Sequence, residues 1–218
     1  MNPLTLLVGA FLLAFLFALV QVGALTIAFG KLGLSGGSAM LLLFTSLIGS
    51  GVNLPLFTLD AEGERDPRWR RPPPWMKGML REIPEGKVLV AMNVGGGLVP
   101  LAFSVYLLSR SALAPLPVLV AVAIQALVCY LFSRPVRGVG IGMPVFIAPI
   151  TAAITAVALQ PDASAPLAYI CGTLGVLIGA DILRLRDVGR LGAPVASIGG
   201  AGTFDGVFIT GIVAVLLA

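Results

Sequence analysis

A chain of 218 residues with 58% apolar and 11% charged residues and a mean hydropathy of +1.03 carries less than half the charge of an ordinary globular domain, about 25%. Several apolar runs exceed the roughly 20 residues that cross a bilayer, which excludes a soluble enzyme, a nucleic-acid binder and a disordered chain. The net charge of +4 is placed between apolar runs and does not point to nucleic acid.

Hydropathy predicts an all-α, polytopic membrane helix bundle of seven spans, treated as a single transmembrane domain over residues 1–218. The spans cover about 4–29, 36–59, 88–108, 115–132, 144–159, 166–183 and some part of 193–217. The first lacks a basic leader and is longer than a signal-peptide core, so it is expected to be retained. Arg65, Arg68, Arg70, Arg71, Lys77, Arg81 and Lys87 fall in the second loop. Arg134 and Arg137 follow the fourth span, and Arg184, Arg186 and Arg190 follow the sixth. Twelve of the 14 basic residues thus share one side, leaving Lys31 and Arg110 on the other. The positive-inside rule then predicts a cytoplasmic N-terminus, an outside C-terminus and residence in the inner (cytoplasmic) membrane.

The only sizeable aqueous segment is the cytoplasmic loop 60–87. Its Pro72-Pro73-Pro74 run stops one element and can start another. Trp75, Met76, Met79, Leu80 and Ile83 then recur at helical spacing among Lys77, Arg81 and Glu82. This pattern predicts a short amphipathic helix on the membrane surface, with a solvated loop as the alternative.

The absence of histidine removes Ser–His and Cys–His dyads and histidine-ligated zinc. Cys129 and Cys171 lie inside apolar segments and suggest neither a disulfide framework nor a CxxC redox site. No cofactor and no metal site are predicted.

An ionisable residue within a span costs about 2.5–3.5 kcal/mol at mid-membrane on insertion scales. Only two acids fall in spans: Asp181, near the inner end of the sixth, and Asp205, early in the seventh. Consecutive antiparallel helices usually pack together, and Gly179, Ala180, Gly202 and Gly206 permit close approach. Two facing carboxylates share a proton; the ionised one can activate water while the protonated one polarises a peptide carbonyl. Asp181 and Asp205 are therefore the candidate catalytic pair. The structural alternatives are an Asp181–Arg184 ion pair one helical turn apart and Asp205 as a helix N-cap.

The segment Gly202-Thr203-Phe204-Asp205-Gly206-Val207-Phe208-Ile209-Thr210-Gly211-Ile212 resembles the GxGD helix of presenilins and signal peptide peptidases. Asp181 corresponds to the other aspartate of those families, at the cytoplasmic end of the preceding helix. The resemblance covers roughly residues 169–217. It implies an intramembrane aspartyl endopeptidase acting on transmembrane or leader peptides. Phe204 replaces the motif's glycine and Ala180 its usual tyrosine. The seven predicted spans are fewer than the family's nine, and its Pro-Ala-Leu element has no counterpart after Asp205. Asn53-Leu54-Pro55-Leu56 is a candidate substitute. The whole chain also resembles a widespread family of small prokaryotic membrane proteins to which no activity is attached.

Four glycine-rich stretches, 49–55, 93–100, 138–144 and 198–202, interrupt apolar sequence and weaken or break helices. Unwound backbone at membrane depth is tolerated when buried in protein or lining a wet cavity, and broken spans point to transporter sites. The rival expectation is a small secondary transporter or channel in which Asn53, Asn93, Gln125 and the two aspartates bind a cation or polar solute. Close helix packing alone could also use these glycines, which would suit a scaffold. The expected partners are membrane lipids and a transmembrane peptide; the sequence is silent on oligomeric state.

Overall fold

The computed structural model describes residues 21–62, 66, 83–138, 140–200 and 206–218. Helix α1 (Gln21–Lys31) meets α2 (Gly36–Gly49) at a bend of 111°. Ser35 caps α2 by accepting the Ser38 amide at 3.2 Å, which satisfies one of the free donors of the first turn. The chain then runs into strand β1 (Asn53–Asp60). Strand β2 (Lys87–Asn93) leads through a π turn, Val94–Leu98, into α3 (Val99–Arg110). Helix α4 (Pro115–Phe132) follows, opened by prolines in its first turn, where no amide partner is lost. A short hairpin, β3 (Arg134–Val136) and β4 (Gly140–Gly142), precedes α5 (Ile147–Leu159). Helix α6 (Ser164–Val176) continues as a π segment, Leu177–Ile182, and then a 3-10 turn, Leu185–Arg190. Strand β5 (Val195–Ile198) and helix α7 (Gly206–Leu217) complete the described chain.

The fold is mostly helical, but strands replace parts of three expected spans. β1 and β2 pair antiparallel with Asn53 opposite Asn93, and β5 adds parallel to β2, giving the order β1-β2-β5. The expected second span is helical only to Gly49 and continues as β1. The third begins as β2, and the seventh begins as β5. β2 explains the difference, because Val88, Leu89, Val90 and Ala91 are all buried. A strand buried on both faces reads as a continuous apolar run and cannot be told from a helix by hydropathy. Pro55 sits on edge strand β1, where the β1–β2 register shifts between Pro55 and Phe57. Edges and bulges are where a sheet tolerates proline.

Two helices are long and apolar enough to cross a membrane, Pro115–Phe132 and Pro161–Ile182, or three if the bent α1–α2 pair is one span. The apolar helices Val94–Arg110 and Ile147–Leu159 are shorter. Among the described residues two or three helices thus meet that length, where seven spans are expected. The predicted surface helix in loop 60–87 lies outside the described residues except for Ile83, which is buried.

Helices α4 to α7 form a bundle with α6 at its centre. α4 and α6 run parallel, with Gly175 against Gln125 and Gly179 against Ala126 and Cys129. α6 and α7 run antiparallel: Ser164 Oγ donates to the Ala218 carbonyl at 3.1 Å, Gly172 adjoins Thr210 and Ala214, and Gly211 adjoins Tyr169 and Thr173. α5 opposes both, with Gln160 reaching the Ala112 carbonyl at 3.0 Å and Ala152 against Gly172. Small residues (Ala121, Ala152, Ala156, Ala168, Ala214) line these contacts and are buried, allowing the axes to approach. Tyr169 is the largest fully buried side chain among the described residues and packs edge-on to Phe103 at 4.9 Å. Leu116, Leu119, Leu127 and Leu131 of α4 and Ile150 and Ile154 of α5 point outward, an apolar exterior suited to lipid.

Candidate functional site

Three interruptions of regular structure meet in one place. Asn93, at the end of β2, has an extended backbone and caps the π turn by accepting the Gly96 amide at 2.8 Å. Its side-chain nitrogen donates to the Ser50 carbonyl at 2.8 Å and to Asn53 Oδ1 at 3.1 Å. Asn53 Oδ1 also accepts from Ser197 Oγ at 2.7 Å. The end of α2, the start of β1 and the end of β2 are thereby tied by one buried amide, and Asn53 extends the tie to β5. Asn93 is 1% exposed, and a buried amide left without partners would cost about 1–3 kcal/mol.

Gly95, Gly96 and Gly97 make this junction possible. A Cβ at Gly95 would strike the Ser46 carbonyl and the Ser50 amide, and one at Gly96 would strike the Gly199 carbonyl. At Gly97 it would meet Met92 Sδ and, at 3.1 Å, the Ile198 carbonyl. Ser46 Oγ secures the same crossing by donating to the Gly95 carbonyl at 2.6 Å. Backbone thus packs directly on backbone at two faces of the π turn.

Asp181 reaches the junction from the bundle. It lies on the π segment Leu177–Ile182 and is half-buried, and its Oδ2 accepts the Gly199 amide at 2.8 Å. Gly199 has φ +78°, a conformation that favours glycine and aims its amide at the carboxylate. π turns within helices are frequent at functional sites, and both π elements of the described chain border this junction.

Arg184 does something other than pair with Asp181 across a helical turn. Its guanidinium bonds Asp187 at 3.1 Å, Ser133 Oγ at 3.2 Å and the carbonyls of Tyr130 and Ser133 at 2.7 and 2.9 Å. It also stacks over the Tyr130 ring at 4.3 Å. It thus caps α4, because the α-helical register ends before Arg184: the Leu183 amide bonds the Ile178 carbonyl, five residues back.

The structure brings Asn53, Asn93 and Asp181 to one junction and puts Pro55 on the exposed rim of the sheet. Gly179 serves the contact between α6 and α4, where an added Cβ would meet Ala126 and Cys129. Gly206 is the first residue of α7. Gly202 and Asp205 lie outside the described residues. Gln125 is away from the junction and is satisfied by Ala148 and Thr151, at 2.8 Å each. Ser46, Ser50, Ser197 and Gly199 were not singled out as site residues by sequence reasoning; the only signal for them was their place in or beside glycine-rich breaks. Among the described residues no group of three or more Cys, Asp or Glu is arranged to hold a metal ion.

The family model described as "Protein of unknown function (DUF1614)" matches residues 47–217. No curated protein and no solved structure matches the chain. The match spans most of the chain, from the end of α2 through α7, and includes both aspartates and the whole glycine junction; the chain belongs to this family.

Proposed function

We propose that this DUF1614-family chain is a multi-pass protein of the inner membrane and an intramembrane aspartyl endopeptidase, with Asp181 and Asp205 as its catalytic pair. The observation that carries the reading is the antiparallel packing of α6 on α7. Its register, with Gly172 against Thr210 and Ala214 and Gly211 against Tyr169 and Thr173, runs the start of α7 towards the end of α6 that leads to Asp181. Val207 is fully buried in the same apolar cluster as Leu177 and Ala180. On this reading, one carboxylate takes a proton from water as the water attacks the peptide carbonyl, and the other, protonated, donates to the carbonyl oxygen. β5 is an edge of the described sheet and leads towards the site, so a locally unwound peptide would have an extended neighbour.

The alternation of α4 to α7 fits the expected topology, with Arg134, Arg137, Arg184, Arg186 and Arg190 at the cytoplasmic end. At the other end, Lys31 caps α7 through the Val215 and Leu216 carbonyls, both at 3.3 Å, and Arg110 lies over Tyr106 at 5.9 Å. Seven crossings, with the N-terminus inside, remain the proposed arrangement.

Reconstituted protein is expected to cleave a transmembrane reporter peptide. Asp181→Asn and Asp205→Asn should each abolish cleavage while leaving the melting profile of the protein near wild type. Full cleavage by either folded variant would overturn the paired-acid reading.

A second reading, a small carrier, is favoured by one observation: the breaks at Gly49–Asn53, Asn93–Leu98 and Ile198–Gly199 converge, as broken elements do at transporter sites. It predicts solute-dependent thermal stabilisation and proton-coupled uptake into liposomes, both lost in Asn93→Ala.

A further inference from the structure

The end of the bundle that carries Arg134 and Arg186 has a feature that neither reading uses. Hairpin β3–β4 is held against the 3-10 turn Leu185–Arg190 by two ties: Arg184 on Ser133, at 3.2 Å from Nε to Oγ, and the Gly138 amide on the Leu191 carbonyl, at 2.7 Å. Arg134 follows Ser133 directly, and Arg186 is two residues beyond Arg184. Both are exposed.

Neighbouring charges are already matched. Asp187 pairs with Arg184 at 3.1 Å, Glu62 with Arg190 at 2.6 Å and Asp60 with Lys87 at 2.6 Å. Asp66 and Arg137 have partners of their own. Among the described residues no carboxylate pairs with Arg134 or Arg186. On the bundle side of each, the surface turns apolar within three residues: Leu131 and Phe132 before Arg134, and Ile182 and Leu183 before Arg186, are all exposed.

We propose that Arg134 and Arg186 form a binding site for the phosphate of an anionic phospholipid. A cationic pair just beyond an exposed apolar rim has the chemistry of a headgroup over its acyl chains. Guanidinium groups suit the role because their planar fork binds phosphate oxygens bidentately. The apolar rim selects a lipid over free phosphate, since inorganic phosphate gains nothing from Phe132 or Leu183. The inference rests on the membrane reading and is independent of the two-aspartate chemistry.

The test uses the full chain in neutral detergent, titrated separately with phosphatidylglycerol, phosphatidylcholine and inorganic phosphate while thermal unfolding is followed. Phosphatidylglycerol is expected to stabilise the wild type at the lowest concentration. Each arginine near an anionic lipid surface contributes about fivefold in affinity, so Arg134→Gln with Arg186→Gln should raise the phosphatidylglycerol midpoint by about 25-fold. Unfolding of the variant in phosphatidylcholine should match that of the wild type. Equal stabilisation by both lipids, an unchanged midpoint in the variant, or inorganic phosphate acting as well as the lipid would each overturn the site. A wild-type chain that does not fractionate with membranes would overturn the membrane reading as well.

Discussion

The bundle of α4 to α7 and the glycine junction beside it are both built from small residues, yet they use them in opposite ways. Where α6 meets α5 and α7, small side chains set the spacing between helices and a neighbour can yield, whereas Gly179 meets the Ala126 carbonyl of α4 much as the junction glycines meet main chain. A Cβ added at Gly172 would lie 3.4 Å from Ala152 Cβ and Thr210 Cγ2, in contact with side chains only. At the junction, main chain lies on main chain, and nothing can yield without moving a strand or a helix end. Glycine count alone does not separate a packing site from a crossing; what faces the missing Cβ does.

Substitutions at the junction should therefore have the largest effect. Gly96→Ala drives a Cβ into the Gly199 carbonyl, and overpacking against backbone is expected to cost about 3 kcal/mol or more. Loss of folded protein in detergent, read by size-exclusion chromatography, would check it. Asn93→Ala comes next, because it strands the Gly96 amide and removes the tie to Ser50 and Asn53. A cost of about 1–3 kcal/mol is expected, seen as a lower melting temperature. In the bundle, Gln125→Leu removes one partner from the Ala148 carbonyl and from Thr151, whose hydroxyl also bonds the Ile147 carbonyl at 2.8 Å. A smaller loss of about 1 kcal/mol is expected. Gly172→Ala should be neutral or slightly stabilising, since alanine is favoured over glycine within helices by about 1 kcal/mol. If Gly172→Ala proved as damaging as Gly96→Ala, the contrast between the two regions would fail. Glu62→Gln, which breaks only the exposed pair with Arg190, should leave the melting temperature unchanged, because exposed ion pairs contribute little.

The bundle was the legible part of the sequence. The fourth expected span and α4 share the bounds 115–132, and α5, and α6 together with its π continuation to Ile182, fall within a few residues of the fifth and sixth expected spans. Each is an apolar run in which helix is the only way to satisfy the backbone locally. The sheet was illegible because β2 is buried on both faces and so carries no alternation of period two. Asp181 was legible as an acid in an apolar segment. Its bond to Gly199 was not, because it depends on a β5 strand hidden inside an apparent span. The expected Arg184 pairing assumed an α-helical face that the π segment interrupts at the critical turn. Asn93 was found for its position in a broken span, but its role as the tie between Ser50, Asn53 and Gly96 follows only from the pairing of β1 with β2.

The central functional claim is that two acids on neighbouring helices meet, and proximity tests it more directly than activity. Cysteines introduced as Asp181→Cys and Asp205→Cys in one chain, treated in membranes with a short bifunctional maleimide, should cross-link in high yield. Neither single variant should do so, since Cys129 and Cys171 are buried. The partly exposed α6–α7 pair Ser164→Cys with Ala218→Cys, joined in the structure at 3.1 Å from Oγ to the carbonyl, would serve as the control for helix packing. Efficient cross-linking of the 181–205 pair is the predicted result. Cross-linking of the control pair without the 181–205 pair would show that the two acids stand apart, and the hydrolytic reading would be contradicted.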